Sequence, residues 1–183
     1  NNNSKITVKV APGTKEIWEN KYPNNLIPSG SSSLSGYRNI DWVEKPVRYG
    51  YIIYKTLTSN SGGHKTYDEN KGLELNSVAE LEQLKPVDDG TSYWWTKPFV
   101  TTIQGLRFKN GNAGSNDPVG TNYITGVIVG TDITTIPATW MSNSSHLSSG
   151  YGIVFGENVV TIEDFVLARC NVIKKIEFKG NNL

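Results

Sequence analysis

The sequence is poor in the residues on which disulfide, metal and nucleophile chemistry depends. It contains one cysteine, one methionine and two histidines among 183 residues. A single cysteine cannot form an intrachain disulfide, so the sequence indicates neither a disulfide framework nor a redox compartment. Cys170 falls on an inward position of the repeats described below, where a thiol serves as a small apolar filler. Its alternative role, as a nucleophile paired with His146, is disfavoured by that inward position.

Excess charge and long apolar runs are also missing. The formal net charge is +1, and charged residues make up 19% of the chain. Lysine and arginine are scattered rather than gathered in a basic stripe, which argues against a nucleic-acid partner. No apolar run approaches the roughly twenty residues that a membrane-spanning helix needs, so we expect no direct membrane insertion. No signal peptide is recognisable.

Catalytic and metal-binding motifs are absent from the sequence. His64 and His146 lack a metal-ligand spacing to cysteine or carboxylates. The adjacent acidic pairs Asp88-Asp89 and Glu163-Asp164 are typical of turns and helix starts. No EF-hand loop, P-loop, G-x-S-x-G or H-E-x-x-H motif occurs. We therefore predict that the protein is not an enzyme and uses no cofactor and no metal.

The first two thirds of the chain favour a β-rich module. Residues 47–57, VRYGYIIYKTL, are dense in β-branched and aromatic residues and predict a strand that is either central or a covered edge. Ser77 followed by Glu80 forms a capping box and predicts one helix over 77–85. Residues 110–120 favour turns throughout and mark a domain boundary. The predicted organisation is an N-terminal strand and extended segment over 1–28, a Ser/Gly linker over 29–36, a β-rich module with one helix over 37–120, and repeats over 121–183.

The last third carries an internal repeat. The segment IVGTDITTIPATWMSNSSHL is followed, at an offset of twenty-six residues, by VFGENVVTIEDFVLARCNVI. A third strand, residues 176–178, repeats the strand at residues 153–155. Each unit predicts a short strand, a tight turn and a short helical piece, and a period in the twenties is typical of a solenoid. The positions predicted to form the solenoid core are Ile133, Ile136, Met141, Leu147, Val159, Ile162, Leu167, Cys170, Ile173, Ile176 and Phe178.

The pattern V-x-x-I-x-x-x-V-L-x-x-C-x-x-I-x-x-I-x-F, which begins at Val159, resembles the BspA-like branch of the leucine-rich repeats. The resemblance covers residues 126–183, and the earlier unit departs from the family by Trp140 in place of a small residue, Ser144 in place of cysteine, and three extra residues near Gly150. It implies a repeat surface used for adhesion and ligand binding in bacterial, protozoal or phage-borne surface proteins. The family carries no catalytic motif, and the ligand is left open.

Two groups of residues are candidates for binding. Trp94 and Trp95 point to opposite faces if the chain is extended there, so that one can be exposed to stack on a sugar or anchor a protein. The alternative is that both are buried. Ile128, Val154 and Glu177 lie between the inward residues of the three repeat strands. Because two of these three are apolar, we expect the N-terminal module or another subunit to cover them, rather than a small ligand.

The fold class predicted from these patterns is mainly β, an N-terminal α+β module followed by a short leucine-rich-repeat-like β-solenoid with short helical or 3-10 turns. The leading hypothesis for function is a non-enzymatic binding or adhesion module of an extracellular, cell-surface or virion protein, with protein subunits or a host-surface protein or glycan as partner. The alternatives are a structural component of a large assembly, such as a phage tail, fibre or baseplate protein, and a carbohydrate-active protein. Because a last repeat without a polar cap exposes its core, we expect that further repeats or a partner cover it.

Overall fold

The computed structural model describes residues 6–23, 40–88, 90, 93, 97–147 and 151–181. The chain is mainly β, as the sequence predicts. It divides into two compact units, residues 1–46 and 47–183. The boundary predicted near residue 120 therefore falls inside the second unit, because strands on either side of it pair with each other. The predicted linker over 29–36 lies outside the described residues.

The first unit is built on two parallel strands, β1 (Ile6–Val10) and β2 (Ile40–Glu44). The segment after β1, predicted to be extended, contains the helix α1 (Lys15–Lys21). A carboxylate from β2 supports the start of this helix, since the backbone N–H of Lys15 donates to Glu44 Oε1 at 3.0 Å. A long-range contact of this kind leaves no trace in the local sequence pattern.

Three aromatic rings form the core of the first unit. Trp42, 4% exposed, stacks with Trp18 and Tyr22 at centroid distances of 5.7 and 5.9 Å. Val10 and Ile40 are buried beside them. Large aromatic side chains therefore supply much of the apolar burial that this small unit needs.

The second unit contains one α-helix and ten strands within the described residues. The elements are β3 (Gly50–Ser61), β4 (His64–Tyr67), β5 (Lys71–Leu75), α2 (Val78–Glu82), β6 (Val100–Ile103), β7 (Leu106–Lys109), β8 (Asn122–Val129), β9 (Thr135–Ile136), β10 (Gly152–Phe155), β11 (Thr161–Ile162) and β12 (Ile176–Phe178).

Eight of these ten strands form one sheet. Five of them follow one another across the sheet in the order β12-β10-β8-β3-β4. In the same sheet β5 also pairs with β3, β7 with β8, and β6 with β7.

The antiparallel pair β3 and β8 forms the centre of this sheet. β3 is the strand expected from the run of β-branched and aromatic residues, and Ile52, Ile53 and Tyr54 are all buried in it. A bulge between Ile53 and Tyr54 shifts the register with β8. Both faces of β3 are therefore apolar where it lies between β5 and β8.

The helix α2 begins as its capping box predicts and covers the first repeat. The N–H of Glu80 donates to Ser77 Oγ at 3.2 Å, and the N–H of Asn76 donates to Glu80 Oε2 at 2.7 Å. The helix ends at Glu82, three residues before the predicted end at 85. Trp140 is completely buried, and its indole Nε1 donates to the backbone O of Leu81 at 3.0 Å. This packing against α2 accounts for a large residue at the position where the neighbouring repeat has Val166.

The twenty-six-residue offset in the sequence is also the register between β8 and β10 and between β9 and β11, whereas β12 pairs with β10 at an offset of twenty-three. β8, β10 and β12 are parallel neighbours, with Val127, Ile153 and Ile176 side by side. β9 and β11 form a second parallel pair, in which Ile136 lies beside Ile162. Equivalent positions of successive repeat strands thus lie side by side.

The segments after β9 and β11 differ from the predicted short helical pieces. Thr139, Met141 and Asn143 have φ between +53° and +62°, and their equivalents Phe165, Leu167 and Arg169 have φ between +59° and +61°. A right-handed helix excludes such angles. Backbone hydrogen bonds instead cross between repeats, from Thr139 N to Asp164 O at 2.9 Å and from Leu167 N to Trp140 O at 3.0 Å.

We predict that Gly156→Ala destabilises the second unit. A Cβ at Gly156 would lie 2.7 Å from Gly130 O and 2.8 Å from Val129 O, and both carbonyls belong to the neighbouring repeat. Because backbone atoms cannot move aside cheaply, we expect a loss of about 1–3 kcal/mol in the free energy of unfolding, measured by urea denaturation.

The matched control is Gly114→Ala, whose Cβ would meet no atom closer than Asp117 Oδ1 at 3.6 Å. We expect this substitution to change stability by less than about 0.5 kcal/mol. Equal effects of the two substitutions would contradict close stacking of the repeats.

Candidate interaction surface

Equivalent side chains are buried in one repeat and partly exposed in the next. Ile136, Met141 and Leu147 are completely buried, whereas their equivalents at an offset of twenty-six, Ile162, Leu167 and Ile173, are half-buried. Since the residue types are similarly apolar, the difference reflects what covers each repeat. The earlier repeat is covered by the later one, and the later repeat has no such cover within the described residues.

The strands show the same change in exposure. Val129 and Phe155 are each 2% exposed, but Phe178, which stacks on Phe155 at 4.9 Å, is 47% exposed. Ile153 is completely buried, and Ile176 beside it is 49% exposed. Ile176 and Phe178, predicted to be core residues, are thus at the surface because β12 is the last strand of its path. We define the terminal face as Ile162, Leu167, Cys170, Ile173, Ile176 and Phe178.

Cys170 joins the terminal face to the preceding repeat. Its Sγ donates to Met141 O at 3.0 Å and accepts from the N–H of Ser144 at 3.4 Å. Burial raises the pKa of the Cys170 thiol, which disfavours the reactive thiolate. The half-buried thiol therefore packs as an apolar group while forming weak hydrogen bonds.

The outer face of the repeat strands does not form an exposed apolar patch. Ile128, Val154 and Glu177 lie side by side, as expected from the alternation of the strands. Val154 is buried and Ile128 is half-buried, with Tyr51 of β3 as its cross-strand neighbour. Trp94 and Trp95, the other candidates from the sequence, lie outside the described residues.

Glu177 lies in a row of charges along the outer face of β12. Lys175 Nζ is 3.0 Å from Glu177 Oε2, and Lys179 forms an ion pair with the other carboxylate oxygen. The hydrogen bonds from Lys179 and Lys175 lower the pKa of Glu177. The strand thus presents two lysines around one ionised carboxylate on one face, and Ile176 and Phe178 on the other.

A separate group of titratable side chains lies where the first repeat meets β4. The His146 ring contacts Tyr123 at a centroid distance of 4.6 Å and Tyr67 at 5.7 Å. Lys55 Nζ lies 4.1 Å from the centroid of the Tyr67 ring. Burial, together with the charge of Lys55, lowers the pKa of His146 from 6.5 to about 4. The sequence spacing of these residues gives no signal of their proximity.

Asp117 anchors the loop before β8 to this group. Burial opposes its ionisation, yet hydrogen bonds from Lys109, Tyr123 and the amide of Gly114 hold the pKa of its carboxyl below the usual value. Burial and the contact with Asp117 raise the pKa of Tyr123. The Asp117 side chain thus accepts every hydrogen bond as a carboxylate, an arrangement that holds the loop in place.

The described part of the chain contains no group of three or more His, Cys, Asp or Glu side chains that could hold a metal ion. None of its described helices combines the length and apolar character needed to cross a membrane. No protein-family model, curated protein or solved structure matches the chain. The terminal face is therefore the candidate site, on the basis of its own geometry.

We predict that the protein loses stability as the pH falls from about 6.5 to about 4. In this range the unfolded chain protonates His146, whereas the folded chain keeps the ring neutral because its pKa is lowered to about 4. The free energy of unfolding should fall by about 2 kcal/mol, which allows for the partial exposure of the ring.

His146→Phe is the control, because phenylalanine keeps the ring contacts with Tyr67 and Tyr123 but cannot be protonated. Urea denaturation at pH values from about 4 to 7 should show a smaller loss for the variant than for the wild type. Parallel curves for the two proteins would contradict this assignment.

Proposed function

We propose that this protein is a non-enzymatic protein-binding module of an extracellular, cell-surface or virion protein, and that it binds through the terminal face. The observation that carries the proposal is the change in burial between equivalent residues, from 2% exposed at Phe155 to 47% at Phe178. The BspA-like pattern supports the same proposal, because that family uses its repeats for recognition. In this proposal the repeats over 121–183 form the recognition part of the molecule.

A protein fits the terminal face better than a small ligand does. The face combines apolar side chains from a turn and a strand, and the ion pairs of Glu177 with Lys175 and Lys179 lie at its border along β12. Protein interfaces have this arrangement of an apolar centre and a polar border, whereas a small-ligand site is usually a concave pocket. Exposed apolar side chains are common singly, but several of them on one repeat indicate a contact.

The second candidate function is that of a structural component of a large assembly, such as a phage tail, fibre or baseplate protein. It is favoured by the position of β12 at the end of its sheet path, because a strand there can extend the sheet into a neighbouring subunit. The two candidates differ in the partner, which is a host ligand in one and a neighbouring subunit in the other. A carbohydrate-active role would need a carboxylate pair beside Trp94 and Trp95.

We predict that Cys170 is protected from alkylation in the protein as isolated from its source under native conditions. A partner on the terminal face would cover the half-buried thiol, so alkylation by a maleimide should be at least about tenfold slower than in the dilute purified chain. Because Cys170 is the only cysteine, the labelling reports on a single position. The native mass, measured in parallel, should exceed 20.2 kDa.

The control is a Cys170→Ser/Val119→Cys variant expressed in the source. Val119 is 61% exposed in the turn before β8, so this thiol should react equally fast in both preparations. A native mass in the hundreds of kilodaltons favours the assembly, and a species only a few times heavier than the chain favours an adhesin. A native mass of 20.2 kDa with unprotected Cys170 would contradict both functions.

A further inference from the structure

The open edge of β12 carries backbone groups available for a further strand. Toward β10, Lys175 O accepts from the N–H of Ile153 at 3.1 Å, and the N–H of Lys179 donates to Phe155 O at 3.0 Å. Backbone groups of successive residues in a strand point to alternate sides. The N–H and C=O groups of Ile176 and Phe178 therefore face away from β10, toward the open edge. The residues with exposed apolar side chains are thus also those whose backbone can pair with another strand.

The two ends of the row of repeat strands differ in what covers them. At the first repeat, β8 is paired along its far side with β3, and Trp140 is packed against α2. At the last repeat, β12 has β10 on one side and no strand on the other within the described residues. A second copy therefore cannot stack onto the first repeat, which is already covered. It can meet the terminal face with its own terminal face, and that contact has twofold symmetry.

We propose that a second copy of this chain covers the terminal face, with the two β12 strands paired antiparallel about a twofold axis at Phe178. This proposal rests on the proposed function and names the partner as the protein itself. In the dimer the two eight-stranded sheets join edge to edge. The apolar side chains of each last repeat are then covered by those of the other copy.

The register follows from the sequence Lys175-Ile176-Glu177-Phe178-Lys179. With Phe178 opposite Phe178 of the second copy, Ile176 lies opposite Gly180 and Glu177 lies opposite Lys179. The outward backbone groups of the two Phe178 residues form the hydrogen-bonded pair at the axis. On either side of it, Ile176 of one copy and Gly180 of the other form the next hydrogen-bonded pair. Glu177 and Lys179 then form a non-hydrogen-bonded pair, in which side chains are closest. The dimer contains two such pairs of opposite charge.

The neighbouring registers are less favourable on the same criteria. Moving the axis to Glu177 places the two Glu177 carboxylates directly opposite each other, and like charges in that position destabilise a sheet. Moving the axis to Ile176 places Phe178 opposite Lys174 and puts a lysine on the apolar side of the pair. The charge row of β12, in which Glu177 lies between Lys175 and Lys179, thus favours the axis at Phe178.

Sedimentation equilibrium of the purified chain tests the proposal. We expect a monomer–dimer equilibrium with a dissociation constant of roughly 1–100 μM, since one strand edge and six side chains per copy make a small interface. Ile176→Ser/Phe178→Ser should weaken dimerisation by at least about tenfold, because each copy loses two apolar side chains from the contact. Val119→Ser, at a similarly exposed apolar position outside the terminal face, should dimerise like the wild type.

Charge exchange tests the register. Glu177→Lys alone and Lys179→Glu alone should each weaken dimerisation by about tenfold, because each places like charges opposite each other twice. The double variant Glu177→Lys/Lys179→Glu restores opposite charges across the axis and should recover the dimer. Circular dichroism at low concentration checks that every variant keeps the fold of the monomer.

A wild-type chain that stays at 20.2 kDa at the highest concentrations overturns the proposal. So does a dimer that persists in Ile176→Ser/Phe178→Ser. A double charge exchange that fails to recover the dimer overturns the register with its axis at Phe178. If the purified chain is monomeric while Cys170 is protected in the native material, the second copy is excluded and the proposed function stands with another partner.

Discussion

The pairing of β8 with β3 is the interaction on which the second unit depends. β8 is the first strand of the repeats, and β3 is the central strand of the segment before them. Because this pair lies inside one sheet, Ile52 and Phe108 share a single apolar core with Val127, Ile153 and Phe155. The repeats therefore need no polar cap at their first end, since the sheet and α2 already cover it. Everything that follows β8 extends a core that the preceding strands began.

Features with a local cause could be predicted from the sequence. The capping box at Ser77 and Glu80 placed the start of α2, because the bonds that stabilise a helix end involve residues three or four apart. The offset between repeats placed Ile136 beside Ile162, because equivalent positions of a repeat occupy equivalent positions in space. The dense run of β-branched and aromatic residues placed β3. For the terminal face, the sequence identified every member as an apolar repeat position.

Features with a long-range cause could not be predicted. The turn-forming residues 110–120 resemble a domain boundary, yet β8 returns to β3, and only the folded sheet shows that return. Thr139 and Leu167 adopt positive φ although they are neither glycine nor asparagine, because hydrogen bonds between repeats hold the backbone there. The exposure of Ile176 and Phe178 depends on the neighbour that a repeat has, whereas the pattern shows only its own residues.

The charges along β12 have two effects. They keep this edge from aggregating, and they determine which strand can pair with it. A bare apolar edge strand pairs with any extended segment, and lysines on the edge are a common means of preventing such aggregation. Lys175 and Lys179 are placed in this way, and both form ion pairs with Glu177 between them. If an incoming strand has no carboxylate opposite these lysines, their positive charge faces an apolar or basic side chain. The charge row of β12 therefore disfavours pairing with most strands and favours a strand of complementary charge. Specificity then comes as much from charge repulsion as from the apolar contact.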